Sequence, residues 1–363
     1  MKKFKKILSF LLTLITFFSI TITNVSASTV YGNTNSNIKN GGIAVKYDNY
    51  YYNISSYSND IYSYDYYDDS APGWIIHSYN IYKKKSESGT IIKTIVKNAL
   101  QTPFLNSKNG YIYYLGMSTS TGEPGVYRIK TNGTNMKRLA SINLITYRGS
   151  PSEFLPMIIK DNYIYYCPDH FSIGRMSLNG TNKKIIYKSP TWISSFSISG
   201  SYIYVNNITN ASHLPNTKSS IYRVNISGSN KKHIYSSNNS ISDALYYNGY
   251  IFYTYYNHNS NYTYLYRMQS NGKNKKCLLK TKNYINYSIY NDKIYYTFNK
   301  DIYNESEDTC LRTCNLNGSN KDVLFKGTHF YIQAITGKVV YVNTLKGIGT
   351  YNINTKKVYF PGM

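Results

Sequence analysis

Residues 193–237 read ISSFSISGSYIYVNNITNASHLPNTKSSIYRVNISGSNKKHIYSS. ISSFSIS alternates apolar and polar residues, the two-residue period of a half-buried strand. Gly200-Ser201 turns the chain and YIYV returns, so the two strands predict an antiparallel hairpin. A polar loop over 206–219 leads to a third strand, IYRVNI. Gly228-Ser229-Asn230 is a tight turn, with the glycine supplying a positive φ, and KKHIYSS is a fourth strand.

The same four-strand unit recurs along the chain. The hairpin strand appears as YIYY from Tyr111 and Tyr163, YIYV from Tyr202, YIFY from Tyr250, KIYY from Lys293 and VVYV from Val339, and more loosely as YYYN from Tyr50. The second hairpin appears as VYRIKTNGTN from Val126, GRMSLNGTN from Gly174, IYRVNISGSN from Ile221, LYRMQSNGKN from Leu265 and CNLNGSN from Cys314. Its glycines, Gly133, Gly180, Gly228, Gly272 and Gly318, are spaced 47, 48, 44 and 46 residues apart. A four-stranded unit with a period in the forties is the signature of a propeller blade. Units begin near Gly41, Thr102, Pro151, Trp192, Ile241, Tyr284 and Thr328. The fold class is therefore all-β, a β-propeller of seven four-stranded blades. Six is the alternative if the first unit, with its insert over 59–72, or the shortened last unit is partial.

At Tyr-x-Tyr-Tyr, Ile/Leu-Tyr-Arg-Met and Asn-Gly-Thr/Ser-Asn the chain resembles the propeller repeats of the low-density-lipoprotein-receptor type, with their YWTD strand and DGS turn. It resembles most a family of secreted bacterial propellers of that kind, largely of unknown function. The resemblance covers about residues 41–363 and departs at the YWTD box, where Tyr165, Tyr166 and Cys167 stand at one such point. It implies a binding role without catalysis, although a fold alone does not establish one.

Composition agrees with strands. The 363 residues include 44 tyrosines, and 16% are charged. That profile argues against a helical or Rossmann-type protein, and 42% hydrophobic content argues against a disordered one. The chain opens with Lys2, Lys3, Lys5 and Lys6, then ILSFLLTLITFFSITIT, then Val25-Ser26-Ala27. This predicts a signal peptide over 1–27, a flexible leader over 28–40 and the propeller over 41–363. No later apolar stretch is long enough to span a membrane. The expected location is outside the cell or at the envelope. Cys310 and Cys314, four residues apart on one strand, are too far apart to bridge. Cys167, Cys277, Cys310 and Cys314 are read as structural thiols.

No Gly-x-Ser-x-Gly, His-Glu-x-x-His or phosphate loop is present. The sequence therefore predicts an exported, non-catalytic, monomeric binding protein with no cofactor and no metal. The alternative is a secreted propeller enzyme, a hydrolase or lyase acting on polysaccharide or peptide. The default ligand site is the loop-rich mouth of the ring, where the candidates are Asp169, His170, Trp192, His213 and His258. Trp192 either stacks on a ligand or packs between blades. A second surface is a basic rim after the last turn of each unit: Lys137-Arg138, Lys183-Lys184, Lys231-Lys232, Lys275-Lys276 and Lys356-Lys357. With a formal charge of +24, such a rim suits an anionic cell-wall polymer, a glycan or a protein. It also protects outer edge strands from aggregation. Nucleic acid is not an expected physiological partner. The repeated Arg128, Arg175, Arg223 and Arg267 are expected to pack their stems on tyrosines.

Overall fold

The strands Trp192–Ser199, Tyr202–Ile208, Ser219–Asn225 and Lys232–Ser237 pair in chain order as one antiparallel sheet, as the quoted stretch predicts. The computed structural model describes residues 33–54, 61–64, 74–86, 90–100, 102–118, 120–143, 146–147, 150–151, 156–209, 217–299, 308–344 and 347–359. Four more separate four-stranded sheets of the same order lie in 157–188, 240–281, 284–328 and 330–359. An eight-stranded sheet consists of two such runs. One is Ala44–Tyr47, Tyr50–Ile54, Tyr79–Lys84 and Ile91–Ala99; the other is Asn106–Lys108, Tyr111–Met117, Pro124–Lys130 and Lys137–Ser141. The pair Ala99 with Gly116 joins them. The architecture is a β-propeller.

Turn chemistry explains the hairpins. Asn109-Gly110, Asn248-Gly249 and Asn291-Asp292 each hold two successive positive φ angles, the requirement of the turn whose twist matches the flanking strands. The repeat glycine has a second use. A Cβ on Gly228 would meet the Ile186 carbonyl oxygen of the preceding sheet at 2.7 Å, and one on Gly272 would meet that of Ile234 at 2.5 Å. The turn can seat against its neighbour only without a side chain.

Tyrosine fills the space between sheets. Tyr113, Tyr114, Tyr165, Tyr253, Tyr287, Tyr296 and Tyr341 are all below 2% exposed, and each ring buries a large apolar area. Arg128, Arg175, Arg223 and Arg267 lie over Tyr111, Tyr163, Tyr202 and Tyr250 at 4.7, 4.4, 4.3 and 4.3 Å. Arg128 and Arg267 also donate to the Leu178 and Leu316 carbonyls of the next sheet, at 3.0 and 3.1 Å. The repeat arginine is thus a clamp between blades as well as a lid on a ring. Cys314 is a buried core thiol, and burial pushes it up to about 11. All four cysteines are free.

The leader expected to be flexible is ordered where it is described. The helix α1, Asn35–Lys39, is capped by Thr34, whose side chain accepts from the Asn37 N–H. Gly41 and Gly42 end it with positive φ, and a Cβ on Gly42 would come within 2.8 Å of Phe104 Cα. Five residues cannot hold a helix alone. Tertiary contacts stabilise this one: it packs against the first strands of all five separate sheets. Those first strands therefore surround a common centre, and α1 occupies it. The expected signal peptide lies outside the described residues.

Candidate functional site

The first strand of a blade has no neighbour on its inner side, so its N–H and C=O groups there need partners. The polar residues of α1 supply them. Asn35 donates to the Ile198 carbonyl at 2.8 Å and accepts from its N–H at 3.1 Å. Asn37 does the same with Ile335, at 3.0 and 2.7 Å. Ser36 Oγ accepts from the Ile289 N–H at 2.7 Å and lies 2.8 Å from Ser288 Oγ. Each amide side chain thus acts as a short piece of β-ladder.

Lys39 is the last helical residue. Its side chain is 3% exposed, and among the described residues Nζ finds no hydrogen-bond acceptor. Asp243 Oδ1 is 3.8 Å away, and the Tyr287 ring centroid is 4.2 Å away. Burial pulls the ammonium below its ordinary value of 10.5, and Asp243 only partly offsets this. Asp243 sits at a β-bulge in Ser240–Tyr247, with φ +56°, a strained conformation for a non-glycine residue. The Tyr287 hydroxyl donates to the Asp243 carbonyl at 2.6 Å. Thr254 Oγ1 and the Tyr284 hydroxyl donate to Asp243 Oδ2 at 3.4 and 3.5 Å. The Asp243 charge, then burial, raise the Tyr284 hydroxyl well above the ordinary phenol range. Tyr284 as a residue is 41% exposed and the Asp243 side chain 23%, while the Tyr284 hydroxyl itself is buried against Asp243. The arrangement sets an amine whose proton is loosened by burial beside a phenol whose proton is held more tightly, with a carboxylate between them.

The mouth residues separate into two places. His170 stacks on Trp192, centroids 4.7 Å apart, and is 2% exposed. Its carbonyl accepts from the Ile193 N–H at 2.7 Å, and Asp169 Oδ1 accepts from the Phe171 N–H at 2.8 Å. Burial lowers the imidazole below its ordinary value, with Asp169 opposing. His170 and Trp192 therefore meet across neighbouring sheets, while Asp169 holds the turn of its own sheet. His258 lies in another sheet, 3.3 Å from Ser240 Oγ and edge-on to Tyr256. His213 lies outside the described residues. Among the described residues no three His, Cys, Asp or Glu gather to hold a metal.

On the rim, Lys137, Lys183, Lys184, Lys231, Lys232, Lys275, Lys276, Lys356 and Lys357 are exposed. Arg138 is half-buried and pairs with Glu123 at 2.8 Å. Lys231 lies over Tyr187 and Tyr222, and Lys275 over Tyr235 and Tyr266. Lys137, Lys184, Lys232 and Lys276 stand directly opposite Arg128, Arg175, Arg223 and Arg267 in the ladder. Like charges opposite one another are unfavourable, yet the arrangement recurs in four sheets.

Sequence reasoning missed α1 and Asp243. A signal existed for both. Thr34 before a short run, with Asn40-Gly41-Gly42 after it, carries helix start and stop residues, and Asp243 interrupts the otherwise apolar and hydroxylic strand SISDALYY.

No protein-family model matches the chain, and no curated protein matches it in sequence. Solved structures do match in fold. An oligogalacturonate lyase in complex with manganese aligns with a TM-score of 0.52 at 10% identity, over 83% of each chain. A puromycin-hydrolysing peptidase of Mycobacterium tuberculosis aligns at 0.57 and 8%, over 91% of this chain and 55% of that one. The β-propeller domain of the trilobed protease of Pyrococcus furiosus aligns at 0.56 and 11%, over 86% and 95%. The chain thus spans about half the length of the peptidase. These likenesses establish the propeller class; the low-density-lipoprotein-receptor resemblance gains no family match. They also correct the expectation of a non-catalytic binding protein, because neighbours sharing this fold include a lyase and a peptidase. The physical reason is that a propeller collects residues from several blades, so missing linear motifs do not exclude chemistry.

Proposed function

We propose that this chain is a propeller enzyme that cleaves an anionic, uronate-containing polysaccharide by elimination beside α1, the helix that occupies the centre of the ring. Counting the eight-stranded sheet as two blades gives seven around that centre. The observation that carries the reading is the buried Lys39 amine, without a hydrogen-bond acceptor among the described residues, beside Asp243 and its Tyr284 partner. Glycoside hydrolysis normally takes two carboxylates, and among the described residues Asp243 is the one carboxylate in contact with Lys39. Elimination needs a base and an acid instead. Lys39, in its deprotonated form, takes the proton from the carbon next to the sugar carboxylate. The electron pair forms the carbon–carbon double bond as the glycosidic carbon–oxygen bond breaks. Tyr284 gives its proton to the leaving oxygen, and Asp243 stabilises the lysine ammonium that forms. A positive rim and a charge of +24 favour approach of such a polymer. The lyase neighbour, alignable over most of its length, supports the reaction class.

The test is incubation with polygalacturonate and other uronate polymers, following the ultraviolet absorbance of unsaturated ends. Turnover that is lost in Lys39→Met and Tyr284→Phe supports the reading. Absence of unsaturated product from every uronate polymer, with cleavage of peptides instead, rejects it.

A further inference from the structure

One face of the sheet 240–281 breaks the repeat. Tyr262, Tyr264 and Tyr266 alternate along the third strand, Tyr262–Gln269, so they share a side. Tyr255 is the ladder partner of Tyr264 and meets it edge-on at 5.9 Å. Tyr262 and Tyr264 lie 6.3 Å apart, and Tyr264 and Tyr266 stack at 5.6 Å. Lys280 lies 4.3 Å over Tyr262, and Lys275 lies 4.6 Å over Tyr266. The four tyrosines are half-buried and both lysines exposed.

Counting back from the repeat arginine shows that this is not blade design. Three residues before Arg267 stands Tyr264; three before Arg128, Arg175 and Arg223 stand Gly125, Ser172 and Ser220. Five before Arg267 stands Tyr262, where the others have Glu123, His170 and Lys218. Inter-blade packing therefore does not require tyrosine at either position. The hydroxyls of Tyr262 and Tyr264 accept and donate no hydrogen bond among the described residues, in contrast to Tyr255, which accepts from Asn239 at 2.9 Å.

We infer that this tyrosine–lysine face is a second binding site for an anionic polysaccharide, outside the centre of the ring. Phenol hydroxyls address sugar hydroxyls, and the ammonium groups of Lys275 and Lys280 address sugar carboxylates. A single-stranded nucleic acid fits less well. Stacking of bases needs open ring faces, and here the faces are taken up by neighbouring rings and by the lysines. The substrate class rests on the function proposed above, but the site stands on different residues.

The experiment measures binding of fluorescently labelled polygalacturonate separately from its turnover. Tyr262→Phe with Tyr264→Phe removes only hydroxyls, and Lys280→Gln removes one exposed charge. The double phenylalanine variant is expected to bind about tenfold more weakly, and the Lys280 variant to lose part of its salt dependence. Thermal midpoints should stay at the parent value. Affinity unchanged in the tyrosine and lysine variants overturns the inference, whether or not the protein turns the polymer over. So does tighter binding of single-stranded DNA of matched charge. Binding lost in the face variants without any turnover by the parent leaves this site standing and rejects the elimination reading instead.

Discussion

Asn37 closes two hydrogen bonds with Ile335, a residue 298 positions away: its amide donates to the Ile335 carbonyl at 3.0 Å and accepts from the Ile335 N–H at 2.7 Å. Asn35 and Ile198 repeat the arrangement on another sheet. A segment before the first blade thereby ties together strands from opposite ends of the sequence.

Replacing Asn37 by Ala removes both bonds and leaves a buried N–H unpaired. Such a loss costs about 1–3 kcal/mol. Chemical denaturation should show a fall of that size for Asn37→Ala and a smaller one for Asn35→Ala, whose surroundings are more open. An unchanged midpoint for Asn37→Ala would mean that α1 does not hold the ring.

Lys39 makes stability depend on pH, and the proposed elimination would follow in the same direction. Its folded value lies below 10.5, so the folded state binds fewer protons than the unfolded chain between those two values. Stability therefore rises with pH across that window and is flat below it. Lys39→Met should abolish this rise, measured between about pH 7 and pH 10. Turnover by the parent should rise as the amine loses its proton, and kcat of Lys39→Met should fall by about 10²–10⁴.

Above pH 10 the sign reverses. Burial pushes Tyr52, Tyr266 and Tyr296 up to about 12 from 10.0. Their contribution is complete below the unfolded value of 10.0 and is lost as pH climbs through the folded one. Phenolate absorbance should rise in a cooperative step that coincides with loss of near-ultraviolet circular dichroism. A gradual rise with the fold intact would contradict this.

His170 acts on the acid side. Its folded value is lowered below 6.5, so stability is lost as pH falls from 6.5 toward that value. Trp192 fluorescence should report the change, because the rings stack at 4.7 Å. In His170→Gln the acid limb should be shallower, with the emission maximum no longer moving over that range.

The rim gives a separate outcome. Replacing Lys183, Lys184, Lys231, Lys232, Lys275 and Lys276 by Gln should weaken salt-dependent retention on cell-wall preparations by an order of magnitude or more, since exposed charges act through a screened field. Retention equal to that of the parent would leave edge protection as their role.

The blades were legible because each is built from local information. Alternation in ISSFSIS, the turn at Gly200, and the period set by Gly133, Gly180, Gly228, Gly272 and Gly318 all operate within one unit. The arginines over tyrosines were legible for the same reason, as i and i+2 periodicity assigns them a face. His170 and Trp192 were singled out as ligand candidates; that their rings stack across two sheets was not legible. Nothing in the linear order distinguishes a loop aromatic that meets a ligand from one that meets the next blade.

From the chain alone follow the strands, their turns, their order and the positive edge, since these depend on residues within about fifty positions of one another. Only the closed ring decided that Lys39, Asp243 and Tyr284 come together, and that Asn37 serves Ile335. Those residues come from a helix and two different blades. Their proximity is produced by circular packing, and a short amide-rich segment becomes ordered only when unpaired inner strands surround it.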